Sequence, residues 1–320
     1  MEKISFVIPC YRSENTVGLV VNEIVETVTS HGGYDYEIIL INDNSPDNVM
    51  NTIKELSAKD SRVKGLDLSR NFGQHSAIMA GFTYLTGDIV VCLDDDGQTP
   101  ACEMFKLIDK LDSFDLVFAE YKDKHHSGFR NFGSKVNDKM ACWLLSKPKD
   151  LQIMSYFACK RYVIDEVLRY TNPYPYMSGL LLRATKKVTN VEVHHHDRVE
   201  GQSGYSIKKL LLLWINGFTS FSVKPLRFAT FIGFITAMIG FLYGIYVIIN
   251  QIVNPYAPLG YGSTMAVMLF IGGMIMLMLG MVGEYIGRVY LSINRSPQFV
   301  IRDKVGFEDN KDGARKEEKI

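Results

Sequence analysis

The chain has 320 residues, room for one full-sized domain and an appendage, and its 35 basic residues balance 35 acidic ones. That balance argues against nucleic acid as a partner, because a phosphate-binding surface leaves a basic excess. The five cysteines, Cys10, Cys92, Cys102, Cys142 and Cys159, form no C-x-x-C pair, which sets aside a zinc site or a disulfide framework and fits a reducing compartment.

The opening MEKISFVIPC has too short an apolar run for a signal peptide and reads as a core strand. Strand-like runs then alternate with amphipathic stretches: KISFVIP with ENTVGLVVNEIVETV, YEIILIND with PDNVMNTIKELSA, VKGLDLS with GQHSAIMAGFTYL, DIVVCLD with PACEMFKLIDKL, and finally DLVFAEY. Continuous Ile/Val/Leu runs joined by helical patterns predict βαβ units and a mostly parallel sheet covered on both faces, an α/β fold. In such sheets ligands collect beyond the carboxyl ends of the strands. Three of those ends carry chemistry: PCYRSEN, NDNSPD and DDDGQ.

The last of these, within VCLDDDGQTP, sets Asp94, Asp95 and Asp96 side by side at the tip of a buried strand. Thr99 and Pro100 read as N-cap and first helical residue, which confines the acids to a tight turn. A turn at a helix start accommodates one or two acids; three call for a divalent cation with oxygen ligands. Alternation lets Asp94 and Asp96 share a target while Asp95 faces elsewhere, and Gln98 adds a neutral oxygen. Farther on, HHHD at 194–197 does not predict zinc, since adjacent strand residues point to opposite faces.

Beyond residue 205 the composition changes. SIKKLLLLWINGFTSFSV, residues 206–223, sets Ile207, Leu210, Leu211, Trp214, Phe218 and Phe221 at helical spacing, as an amphipathic helix at a membrane interface would. Phe228 to Ile249 and Ser263 to Gly283 contain no charged residue, and each approaches the roughly 20 residues that cross a bilayer core. Lys208, Lys209, Lys224 and Arg227 precede the pair, Arg288, Arg295, Arg302 and Lys304 follow it, and the link between is uncharged. The positive-inside rule therefore puts both termini in the cytoplasm. Glu284 lies one turn before Arg288, as an interfacial ion pair or a contact between protomers. The expected organisation is an α/β domain over 1–205, a juxtamembrane region over 206–227, transmembrane helices over 228–250 and 263–286 joined by 251–262, and a cytoplasmic tail over 287–320 whose end, KDGARKEEKI, is disordered.

From about Lys3 to Arg302 the sequence resembles the family 2 glycosyltransferases of the GT-A fold, in the branch of polyprenyl-phosphate glycosyltransferases related to dolichyl-phosphate mannose synthase. LDDDGQTP looks like that family's D-x-D turn, NDNSPD its D-D-x-S-x-D element, and LSRNFGQHSAIMAG its L-S-R-N-F-G-K segment. GEYIGRVY followed by RSPQFVI resembles the end of the second membrane helix in the bacterial branch that glycosylates undecaprenyl phosphate. The resemblance implies a nucleotide sugar, UDP-linked, held by Pro9, Tyr11, Glu14, Asn42, Asp43, Asp94, Asp95 and Gln98. It implies Mg²⁺ or Mn²⁺ on Asp94, Asp96 and Gln98, and an acceptor phosphate on Lys122, Lys124, Arg130, Arg198 and Ser203. Asp96, Arg130 and Arg198 would carry catalysis, with inversion at the anomeric carbon. A lipid monophosphate, with a second pKa of about 6, is largely dianionic at neutral pH and has little need of a general base.

Departures from the family pattern are Ser13 for Glu, Asn42 for Asp, Ser155 for Asp and Gly204 for Lys. The resemblance places the protein, as a homo-oligomer, in the bacterial inner membrane, adding one sugar per polyprenyl phosphate for cell-surface glycan or glycolipid modification. Two rivals are a processive polysaccharide synthase, whose Q-x-x-R-W motif and additional spans are not in this sequence, and a non-catalytic, membrane-anchored nucleotide-sugar binding protein.

Overall fold

The computed structural model describes residues 1–121, 147–148, 150–194, 224–254, 260–294 and 296–307, which fall into two units. One comprises Met1–Tyr205 with Pro297–Ile320, the other Ser206–Ser296.

In the first unit, β1 (Glu2–Cys10), β2 (Tyr34–Asn42), β3 (Val63–Leu68) and β4 (Ile89–Cys92) run parallel, and α1 (Val17–His31), α2 (Val49–Lys59) and α3 (Gln74–Tyr84) make the crossovers. The sheet continues through α4 (Met104–Ile108), β5 (Leu116–Glu120), β6 (Phe157–Lys160), α5 (Arg161–Val167), α6 (Met177–Ala184), β7 (Val188–Glu192) and, after the second unit, β8 (Ile301–Val305). Its eight strands lie in the order β7-β5-β6-β4-β1-β2-β3-β8. β6 is antiparallel to both neighbours and β8 is antiparallel to β3. The parallel α/β sheet read from the sequence is therefore present, with antiparallel additions toward its edges.

Burial explains the continuous apolar runs, because both faces of the central strands are covered. Ile4, Phe6 and Ile8 of β1 pack with Val17, Val20, Val21, Ile24 and Val28 of α1 and with Met104 and Leu107 of α4. On the opposite face α3 approaches so closely that a Cβ on Gly81 would lie 2.6 Å from Val7 Cγ1 and 2.8 Å from Ile41 Cδ1. Each fully buried Ile or Phe contributes about 1.5–3 kcal/mol of transfer free energy.

Register carries the functional consequence. Cys10 pairs with Asn42, Asn42 with Asp67, and Val7 with Cys92, so the carboxyl ends of β1 to β4 form one rim. The loops bearing PCYRSEN, NDNSPD and DDDGQ all leave from it.

Two boundaries differ from expectation. After the acidic turn the chain first forms a 3-10 turn, Ala101–Glu103, with Pro100 at its N-cap position, and the helix starts at Met104. Thr99 spends its hydroxyl on the Asp94 carbonyl, 3.3 Å away, and so closes the acidic turn rather than capping a helix. The stretch after the apolar hairpin, read above as flanking charges, supplies β8 to the sheet: Leu66 pairs with Lys304 and Asp67 with Asp303.

The second unit contains α7 (Lys224–Val253) and α8 (Tyr261–Ile293). Ala229–Asn250 and Phe270–Ile293 are long and apolar enough to cross a membrane. Phe231, Phe234, Phe241, Met276 and Leu279 are all at least 60% exposed, unlike the side chains of a core helix. At Gly233 an added Cβ would meet the end of Met278 at 2.7 Å, so a small residue lets the two helices approach there.

Candidate active site

The rim of the sheet is built from backbone donors aimed at carboxylates. Asp43, at the end of β2, is buried and accepts the Phe72 N–H at 2.7 Å and the Gly73 N–H at 2.8 Å. Gly73 has φ +90°, a conformation that turns its N–H toward Asp43 at little cost only without a side chain. Burial raises the Asp43 pKa above the usual carboxylate value despite these two donors.

Across the rim, Asp95 accepts the Tyr11 N–H at 2.9 Å, and its carbonyl takes the Thr16 hydroxyl at 2.6 Å. Asp95 thus faces the β1–α1 loop. Asp94 faces the other way: one oxygen accepts Gln74 Nε2 at 2.9 Å and the other accepts the Ser155 hydroxyl. This divergence is the one expected from alternation. Asp96 accepts the Gln98 N–H at 3.0 Å, and Gly97, at φ +73°, completes the turn.

Burial dominates the electrostatics of this turn. It raises the Asp94 pKa, with the Asp96 charge adding to the effect and the Ser155 hydrogen bond opposing it. It pushes Asp95 to about 6. Tyr121 is shifted upward too, by burial and then by the charges of Asp94 and Asp96. Among the described residues, no Lys or Arg forms an ion pair with Asp43, Asp94 or Asp95. Nor do three His, Cys, Asp or Glu among them cluster closely enough to enclose a metal alone.

The remaining predicted residues lock the two loops together. Glu14 accepts the Asn48 N–H at 2.7 Å while its own N–H reaches Asp47 at 3.0 Å, and the Arg12 N–H meets Ser45 Oγ at 2.7 Å. Pro9 stands opposite Ile41 in the sheet, and the Tyr11 ring is 45% exposed beside the rim, with the Arg12 guanidinium 5.6 Å from its centroid. Asn42 is as buried as Asp43 but bonds to other partners. Its Oδ1 accepts the Ser45 N–H at 2.9 Å and its Nδ2 donates to Asp67 at 2.8 Å. Only an amide can do both, so the departure from Asp at this position follows from Asp67 beneath it.

Beside Asp94 lies a cavity of about 130 Å³ lined by Gln74, His75, Ser155, Phe118, Phe157 and Met177 among others. Burial lowers the His75 pKa, which favours a neutral ring. Sequence reasoning did not anticipate Gln74, Asp67 or Arg302 as site residues, and marked Ser155 only as a departure from the family pattern. Only the rim's register and its hydrogen bonds reveal them. His194 joins a surface network with Glu103, 2.7 Å from its Nδ1, and Lys106. Lys122, Lys124, Arg130, Arg198 and Ser203, expected at the acceptor phosphate, lie outside the described residues, as does the amphipathic segment 206–223.

Comparison with known proteins agrees with this architecture. Residues 5–166 match the family described as glycosyl transferase family 2, and residues 224–289 match the GtrB C-terminal hairpin. The chain is 33% identical over 315 residues to the bactoprenol glucosyl transferase of Shigella phage SfX, covering 94% of this chain and 99% of that one. It is 32% identical over 313 residues to the prophage bactoprenol glucosyl transferase homolog of Escherichia coli strain K12, covering 94% and 98%. Among solved structures, glucosyl-3-phosphoglycerate synthase from Mycobacterium tuberculosis, in complex with Mn²⁺ and UDP-glucose, superposes with a TM-score of 0.50 at 18% identity, over 68% of this chain and 77% of that one. At that identity the likeness is one of fold. With a GT-A-like sheet, an acid-lined rim and near full-length relatives at this identity, the chain belongs to glycosyl transferase family 2 and is a glycosyltransferase.

Proposed function

We propose that this glycosyltransferase moves one sugar from a UDP-sugar to a polyprenyl phosphate of the bactoprenol type, with inversion, at the cytoplasmic face of a membrane crossed by its two apolar helices. The observation that carries the reading is the buried acidity of Asp94 and Asp95 at the rim. Asp94 and Asp95 are desolvated and their pKa values raised, without a cation paired to them among the described residues. A site arranged in this way is completed by a positively charged ligand. The donors are carboxylate oxygens and the Gln98 amide, hard ligands that suit Mg²⁺ or Mn²⁺. Asp96, Asp94 and Gln98 would hold that ion, which when bound supplies Lewis-acid stabilisation of the leaving diphosphate.

The chain's own residues do the positioning. Asp43, fixed by two backbone N–H groups, would meet the nucleoside, and Tyr11 offers an exposed side chain on the same rim. Gln74 and Ser155 fix the Asp94 carboxylate, which holds its orientation relative to the cavity beside it, where the sugar would lie. Attack by a phosphate oxygen on the anomeric carbon forms the new C–O bond as the bond to the diphosphate breaks, and the electron pair leaves with UDP. Arg130 and Arg198, with Lys122, Lys124 and Ser203, are assigned to the acceptor phosphate on sequence alone. Names of the relatives support the lipid acceptor, and the match to the GtrB C-terminal hairpin supports association with a membrane.

The test is incubation of the purified full chain with radiolabelled UDP-glucose and undecaprenyl phosphate, with Mg²⁺, Mn²⁺ or EDTA, followed by mass measurement of the lipid product. One hexose per lipid, formed only with metal, is expected. Product formed in EDTA overturns the role of Asp96, and several sugars per lipid would favour a processive enzyme.

A further inference from the structure

We propose that Arg302, on the strand that follows the apolar hairpin, is a positioning residue for nucleotide binding, acting through Asp67 and Asn42 on the loop that carries Asp43. The inference rests on the reading that the nucleotide binds at Asp43. Arg302 Nε and Nη2 lie 2.9 and 2.7 Å from Asp67 Oδ2, and the other oxygen of Asp67 accepts Asn42 Nδ2 at 2.8 Å. Asn42 Oδ1 then accepts the Ser45 N–H at 2.9 Å, which closes the turn immediately after Asp43. Ser45 in turn accepts the Arg12 N–H at 2.7 Å, so the β1–α1 loop is tied in.

The chain of contacts has a direction set by burial. The Asp67 side chain is 7% exposed, whereas that of Arg302 is 55% exposed. A carboxylate so enclosed is costly without a cation, and Arg302 is the cation the structure gives it. With Arg302 removed, the enclosed Asp67 carboxylate loses the two N–H donors that fix it, and its hold on the Asn42 amide weakens. A second contact from the same segment reaches the other wall of the site: Val300 O accepts the Ser69 N–H at 2.9 Å. Ser69 opens the β3–α3 loop, whose Phe72 and Gly73 N–H groups bind Asp43. The segment returning from the hairpin therefore braces both loops that meet at Asp43. A merely structural role for β8 would hold the edge of β3 without favouring these loops.

The experiment compares Arg302→Ala, Arg302→Lys and the wild-type full chain in detergent. UDP affinity is measured by calorimetry, kcat and KM with UDP-glucose and undecaprenyl phosphate, and amide hydrogen exchange is followed without ligand. For Arg302→Ala we expect UDP affinity to fall and KM to rise about tenfold, kcat to stay within about twofold, and exchange to quicken at residues 43–48 and 69–73 but not in β1 or β4. Arg302→Lys should recover part of the affinity, because it restores the charge without the paired N–H geometry. Unchanged UDP affinity, or exchange that quickens evenly across the sheet, overturns the proposal. Asp43→Asn separates the two readings. If UDP binding ignores that variant, the nucleotide is not at Asp43, while the exchange pattern in Arg302→Ala still decides whether the brace exists.

Discussion

Glu37 offers a direct test of how the opposite end of the sheet is held. Its side chain is 1% exposed in the middle of β2, and it accepts Ser5 Oγ at 2.7 Å, the Thr86 hydroxyl at 2.9 Å and Lys64 Nζ at 2.7 Å, with Lys3 Nζ at 3.6 Å. Burial alone would raise its pKa, but Lys64 and the Ser5 and Thr86 hydrogen bonds outweigh it and bring the value from 4.5 to about 2. A depression of that size corresponds to about 3 kcal/mol of stability from the charged form. Because the folded value lies below the unfolded one, this stabilisation is complete above about pH 5 and is lost as the pH falls toward about 2. Glu37→Gln keeps the shape but removes the charge, so it should cost about 3 kcal/mol at pH 7 and much less at pH 3. Urea unfolding of the full chain in detergent, followed by near-ultraviolet circular dichroism at both pH values, measures the gap. A gap below about 1 kcal/mol at pH 7, or one that does not shrink in acid, refutes the reasoning.

The remaining predictions concern the face packing and the site. Gly81→Ala brings a methyl within 3 Å of Val7 and Ile41 side-chain atoms and should cost about 1–3 kcal/mol in the same unfolding assay. Ser155→Ala removes one of the two donors on Asp94 and should lower kcat/KM about tenfold. A kcat/KM within twofold of wild type would show that Ser155 does not orient Asp94.

How much of this was legible in the sequence depends on whether a residue's role is set locally. The strands β1 to β4 announce themselves because burial on both faces demands unbroken apolar runs such as FVIPC and EIILIN. The triplet Asp94–Asp96 is visible because like charges at a strand tip require an explanation. β8 is not visible: IRDKV carries three charges, and only its pairing with β3 makes it a strand. Asn42 stands out in the sequence only as a departure from Asp, and its hydrogen bond to Asp67, one strand away, is visible only in the fold. Thr99 and Pro100 had the composition of a helix start, but the Asp94 carbonyl claimed the threonine hydroxyl. Each miss is a case of a distant partner overriding a local preference.

The two ends of the sheet treat buried carboxylates in opposite ways, and that contrast bears on function. Glu37 is given a cation, and its charge becomes part of the fold. Asp67, just below the rim, is given Arg302. Asp43, Asp94 and Asp95, on the rim itself, receive only backbone and neutral side-chain donors among the described residues, and desolvation still raises all three pKa values. A rim left in that condition is less stable at neutral pH than one with paired charges, so a ligand that neutralises it must stabilise the folded chain. The size of that gain follows mass action: at a free ligand concentration 100 times its dissociation constant it is about 2.7 kcal/mol. Mg²⁺ or Mn²⁺ with UDP should therefore raise the melting temperature of the catalytic unit well beyond either alone, whereas Ca²⁺-free buffer with UDP and EDTA should leave it nearly unchanged. Equal stabilisation by UDP with and without metal would mean that the rim's charge is answered by the protein and that the acids serve another purpose.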